Sequence, residues 1–162
     1  MQRDSRLLVL SQRHLQALAL VHRIEGELIG ADDSLAGLYA DLLDFWWTRL
    51  LPLFRAESEC LLARLIRVVP PEHQAVIRAQ TEHLYLEALV ATMRDTREAA
   101  TRRDAIRRFG ETLGRHLRWE QDVLFNFAEA ELSQGDLDMV AQDLAAYLPD
   151  SELPPEPRTL RL

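Results

Sequence analysis

The 162-residue chain has a single cysteine, no lysine, 6 glycines and 7 prolines. Cys60 cannot close a disulfide within the chain, and the opening MQRDSRLLVLSQRH has too short an apolar run for a secretory signal, so a cytoplasmic location is expected. So few glycines and prolines leave little room for the tight turns of an all-β sandwich. No apolar segment reaches the roughly eighteen uninterrupted residues of a membrane span, because Arg, Asp or Glu recurs in each. A Walker-type or dinucleotide-binding glycine loop is also missing, so phosphate-cradling chemistry has no residues to stand on.

Positive charge is in deficit too. The 19 arginines face 26 acidic residues, and the net charge of −7 argues against nucleic-acid phosphates or an anionic membrane as partner. The stretch Arg94, Arg97, Arg102, Arg103, Arg107, Arg108 is interleaved with Asp95, Glu98 and Asp104, which reads as a solvated helix face rather than a phosphate track.

What is present is helical periodicity on a globular composition, 48% hydrophobic and 28% charged, in a chain long enough for one domain and one core. From Arg6 to about Leu28, apolar residues recur at threes and fours: Leu7, Leu8, Leu10, Leu15, Leu18, Val21, Ile24, Leu28. Asp33 or Ser34 then caps a second helix, whose stripe of Leu35, Leu38, Leu42, Phe45, Trp46, Leu50, Leu53, Phe54, Leu61, Leu65 and Val68 is expected to run to Pro70 with a kink at Pro52. Pro71-Glu72 opens a third helix through Val76, Ile77, His83, Leu86, Leu89 and Val90 towards Asp95. After a polar link around Thr96 to Asp104, a fourth stripe follows: Ile106, Phe109, Leu113, His116, Leu117, Val123, Leu124, Phe127, Leu132. Ser133-Gln134-Gly135 reads as its stop and Asp136 as the cap of a short last helix to about Leu148. The expected fold is all-α, an antiparallel up-down-up-down four-helix bundle with a short C-terminal helix over 1–148, followed by a Pro-rich tail over 149–162.

Function is sought in ionisable residues on the buried stripes, since such groups are costly there unless paired or metal-bound. His116 and Glu120 stand four residues apart, about 40° around the helix axis, on the face of Leu113, Leu117 and Leu124. In the second helix Glu57 and Glu59 point about 200° apart, so only one of them faces inward. His14 and His83 are each embedded between apolar residues, so every helix offers a candidate ligand. Imidazole nitrogen with carboxylate oxygen inside a helical bundle is the donor set of non-haem iron or manganese.

The same segments, in order from about Leu10 to Leu148, resemble the bacterial hemerythrin-like (HHE cation-binding) family. Ser11-Gln12-Arg13-His14-Leu15-Gln16-Ala17-Leu18 is similar to that family's opening Ser-Arg-Glu-His-His and Ala-Leu-rich stretch, with one of the two histidines present. Phe45-Trp46-Trp47 and Leu50-Leu51-Pro52-Leu53-Phe54 through Glu57-Ser58-Glu59 resemble its Phe-Trp, Leu-Leu-Pro-His-Phe and Glu-Glu segment. Glu82-His83-Leu84 matches the third segment, and His116 to Glu120 with Leu124-Phe125 the fourth.

The resemblance implies a non-haem iron centre, usually binuclear, for oxygen, nitric oxide or redox sensing, oxygen binding or iron handling. Leucine at 53 departs from the family's histidine and serine at 58 from its second carboxylate, which predicts weakened affinity. His14, Glu57, His83, His116 and Glu120 remain as the expected metal ligands, enough for one iron, or for two if carboxylates bridge. The expected partners are a diatomic ligand and a protein reader or a second copy of the chain. The alternative is a metal-free bundle serving as a structural or protein-interaction module, its ligand residues hydrogen-bonded to one another. No acid–base group beyond the ligand set marks an enzyme. Cys60 reads as buried and inert, Glu87 as a solvated glutamate, His22 and His73 as exposed, and Trp46, Trp47 and Trp119 as packing residues.

Overall fold

The computed structural model describes residues 4–29 and 35–148. The expected cap at Asp33 or Ser34 and the tail from Pro149 lie outside these residues. Every regular element among them is helical, and there are five helices. Helix α1 (Leu8–Glu27) is entered through a 3-10 turn, Ser5–Leu7, whose cap Asp4 accepts a hydrogen bond from the Arg6 backbone N–H. Helix α2 covers residues 35–65 and alternates α-helical Leu35–Phe45, Leu51–Ala56 and Ala63–Leu65 with π-helical Trp46–Leu50 and Glu57–Leu62. Helix α3 is Gln74–Asp95. Helix α4 covers residues 99–131, with π-helical Glu120–Leu124 between α-helical Ala99–Trp119 and Phe125–Glu131. Helix α5 is Gln134–Tyr147. Among the described residues no helix is long and apolar enough to cross a membrane.

Contacts between packed helices run in opposite chain directions. Along α1 and α4, Ile24 meets Gly110, Val21 meets Gly114 and Ser11 bonds Gln121. Along α3 and α4, Arg78 covers Trp119 while Glu82 bonds His116. Phe54 stacks on His83 and Ser58 accepts a hydrogen bond from Gln80 between α2 and α3. Helix α5 lies against the end of α2, fastened by Arg64 to Asp143 at 2.6 Å, and against the start of the chain, fastened by Arg6 to Asp138 at 2.8 Å. The apolar interior includes Leu10, Val21, Ile24, Leu42, Leu61, Phe109, Leu113 and Phe125, with Trp46 edge-on to both Phe54 and Phe109.

Several expected boundaries move, each for a local reason. Helix α2 ends at Leu65 rather than running to Pro70, and Val68 is exposed. Helix α3 starts at Gln74, not Pro71, because His73 is the cap: its Nδ1 accepts from the Ala75 N–H while its ring stacks on Phe127 at 4.5 Å. His73 is therefore half-buried, contrary to expectation. The polar link before α4 shrinks to Thr96, Arg97 and Glu98. Ser133, read as part of a stop, is the cap of α5, its Oγ accepting from the Asp136 N–H in place of Asp136 capping. Pro52 sits in the second position of an α-helical segment directly after a π turn.

The stripes are corrected as well. Leu8, Leu15, Ile77 and Val123 are exposed, and so is Trp47, which is not a core residue. After Glu120 the π turn inserts an extra residue per turn, so burial passes to Leu124, Phe125 and Ala128 instead of Val123 and Phe127. Nor is the arginine stretch wholly solvated: Arg102 donates to the carbonyls of Met93 and Thr96, and Arg103 to that of Leu28.

Helix α1 packs tightly on α4 at Gly110, where an added methyl would stand 2.9 Å from Ile24 Cγ2. Ile24 is β-branched and fully packed, so it yields little. Gly110→Ala should therefore lose about 1 kcal/mol net, an overpacking cost of about 1–3 kcal/mol less a propensity gain of up to about 1. Gly37→Ala, with nothing within 4 Å, should gain a few tenths. Thermal unfolding checks both: the first variant should melt below the parent and the second at or above it.

Candidate metal centre

The five expected ligand residues come together at the middle of the helices. His14 from α1, Glu57 from α2 and His116 and Glu120 from α4 are 0% exposed, and His83 from α3 is 7% exposed. Of the two adjacent glutamates in α2, Glu57 faces inward and Glu59 is exposed. Glu57 and Glu120 are each the first residue of a π turn. Such turns recur at functional sites because they re-aim side chains off the regular helical stripe.

One donor atom from each of Glu57, His83, His116 and Glu120 lies within 4.8 Å of the others. His116 Nε2 is 3.3 Å from Glu120 Oε2, and His83 Nε2 is 3.4 Å from Glu57 Oε2 and 3.8 Å from Glu120 Oε1. None of these atoms has a hydrogen-bond partner, although all are buried. Two carboxylates and two imidazoles thus turn unsatisfied atoms towards one point, an arrangement that costs several kcal/mol in a dry core (on the order of 1–3 per group) and that a cation relieves. The donor chemistry, hard oxygen with borderline nitrogen, fits a divalent first-row metal. A buried group of this kind can hold a metal ion.

His14 touches the same carboxylates, with Nε2 2.7 Å from Glu57 Oε1 and 3.4 Å from Glu120 Oε2. Its Nδ1 is 3.3 Å from the Gln121 amide nitrogen, and the Ser11 hydroxyl donates to the other end of that amide. His116 Nδ1 is 2.8 Å from Glu82 Oε2, and Arg78 holds Glu82 from the solvent side at 3.0 Å. Glu82 and Gln121 were not picked out as site residues by sequence reasoning: each acts on a histidine of another helix, and the only local sign is the Arg78–Glu82 pair four residues apart. A pocket of ≈ 200 Å³ between α2 and α3, lined by Phe54, Ser58, Gln80, His83 and Leu84 among others, reaches His83 from outside.

The remaining residues singled out in the sequence are not part of this convergent group. Leu53 is buried in the apolar core, and Ser58 is half-buried on the pocket wall. Cys60 is buried but outside the His/Glu group, its thiol pushed up to about 11 by burial and by nearby Asp143 and Glu59. His22 pairs with Glu25 on the surface, and Glu87 is exposed. No family model, curated protein or solved structure matches the chain.

Electrostatics separates the two carboxylates. Burial pushes Glu57 up, but the His14 hydrogen bond and the facing His83 imidazole outweigh it and hold the carboxyl at about 2. Glu120 is raised well above 4.5 by burial, then by the charges of Glu57 and Glu82. Burial lowers His116 despite its bond to Glu82. Charge is thus favoured on Glu57 and disfavoured on Glu120.

Because Glu120 is raised on folding, its contribution to stability is full below its unfolded value and lost as pH rises towards the folded one. Glu57 is lowered, so its contribution is full above the unfolded value and lost as pH falls towards about 2. In ion-free protein, Glu120→Gln should gain melting temperature relative to the parent between about pH 5 and pH 8, whereas the loss caused by Glu57→Gln should shrink below about pH 4. Melting curves of the three chains in chelator across that range check both signs; parallel curves would contradict them.

Proposed function

We propose that this chain is a hemerythrin-like non-haem iron protein: an antiparallel up-down-up-down four-helix bundle, with α5 as its short C-terminal helix, that binds or senses oxygen, nitric oxide or redox state, or handles iron. The observation that carries the reading is the convergence of unpartnered buried atoms from Glu57, His83, His116 and Glu120. Iron held there would supply a redox couple and an open coordination position for a diatomic ligand. His14, Glu57, His83, His116 and Glu120 form the centre, and the departures at Leu53 and Ser58 leave donors for one ion, or for two with carboxylate bridges. Phe54, stacked on His83 at 4.1 Å, keeps water from the ring face, while the pocket beside it gives a small ligand a path to the least buried histidine.

A second reading, a metal-free interaction module, is favoured by one observation: Leu53 packs in the core where the resembled family places a nitrogen ligand. The two readings separate on iron content per chain after anaerobic loading, with absorption recorded before and after air. The iron reading expects one or two irons per chain and near-ultraviolet bands that are lost in His116→Ala. A folded helical protein with no bound iron would leave only the module. Loading at a thousandfold excess over Kd should add about 4 kcal/mol and raise the melting temperature by on the order of 10 °C. Leu53→His should tighten iron binding; no gain would count against the position of that residue beside the centre.

A further inference from the structure

We infer that His14 is not a metal ligand but a positioning residue that holds Glu57, so that the centre takes one divalent cation on Glu57, His83, His116 and Glu120. The inference rests on the metal reading above and narrows it to one ion and four ligands.

The three histidines differ in what their ring nitrogens already do. His14 Nε2 is 2.7 Å from Glu57 Oε1, the one close hydrogen bond inside the cluster, and Glu120 Oε2 lies 3.4 Å from the same nitrogen. At that distance one proton lies between Nε2 and Glu57 Oε1, and on a neutral ring it belongs to Nε2 when Nδ1 is bare. The far side of the ring agrees, since the Gln121 amide nitrogen faces Nδ1 and a donor there requires a bare nitrogen. The Ser11 hydroxyl donates to the amide oxygen at the other end. Ser11, Gln121, His14 and Glu57 thus form a directed chain across α1, α4 and α2 that ends on one carboxylate oxygen and leaves Glu57 Oε2 free.

His116 is set the opposite way. Its Nδ1 faces the Glu82 carboxylate at 2.8 Å and must donate, so Nε2 presents its lone pair to the cluster, where it has no hydrogen-bond partner. His83 has neither nitrogen engaged in a hydrogen bond, so its Nε2 is equally available. The nitrogens available to an ion are those of His83 and His116, and the four residues whose donor atoms mutually converge exclude His14.

Cobalt(II) and zinc are the probes. The parent chain should bind one cobalt per chain, and His14→Gln, whose amide can still donate to Glu57, should keep the cobalt visible spectrum with affinity within several-fold of the parent. His116→Gln should lose the spectrum and bind about 10–100-fold more weakly or not at all. In zinc-loaded parent protein labelled with nitrogen-15 histidine, the Nε2 signals of His83 and His116 should move to the coordinated position and that of His14 should stay protonated. This measurement needs no variant, so a misfolded His14→Gln does not decide the matter. Two ions per chain, a coordinated His14 nitrogen, or a cobalt spectrum altered as much by His14→Gln as by His116→Gln would overturn the inference while leaving the metal reading standing. A parent chain that binds none of cobalt, zinc or iron would overturn both.

Discussion

Two carboxylates, Glu57 and Glu120, are sealed in the interior within reach of each other and of three imidazoles. Burying one ionised carboxylate is expensive, and burying two side by side is worse, so the surrounding structure is arranged around containing that charge. On Glu57 the facing His14 and His83 outweigh burial and favour the charge; on Glu120 burial, then the nearby Glu57 and Glu82, disfavours it. The close approach of α1 to α4 at Gly110 and Gly114 belongs to the same constraint, since His14 reaches the carboxylates of the other helices only if α1 lies tightly in its groove. The burial of Leu10, Leu113, Leu117 and Leu124 supplies the favourable free energy that offsets this polar interior.

Much of this was legible from spacing. The stripes located the helices, and the question of which ionisable residues fall on them yielded His14, Glu57, His83, His116 and Glu120, all of which the structure buries together. A 3.6-residue period could not show where it fails. Val123 and Phe127 were placed inward by extrapolating through Glu120, and the π turn there hands the interior to Phe125 and Ala128. Capping was misread where two side chains of similar chemistry competed, as with Ser133 and Asp136. Glu82 and Gln121 lay beyond reach because their partners sit more than thirty residues away along the chain, at separations of 34 and 107.

The outer hydrogen bonds give the centre a polarity that its ligand residue types do not reveal. Three histidines look equivalent in a sequence, yet one faces a carboxylate, one an amide and one has no hydrogen bond on either nitrogen. The second shell therefore distinguishes residues that share a chemistry. It also places the least constrained of them, His83, beside the pocket between α2 and α3, and fixes His116 through Glu82 and Arg78.

The π turns carry a mechanical consequence. Each inserts a phase step between the two halves of its helix, so the upper and lower halves of α2 and α4 match their neighbours in different registers. A uniform helix can slide by one turn, about 5.4 Å, and find its ridges in new grooves. A helix with a phase step cannot, because a shift that suits one half misplaces the other. The steps act as keys in a keyway that hold α2 and α4 in axial register against their neighbours.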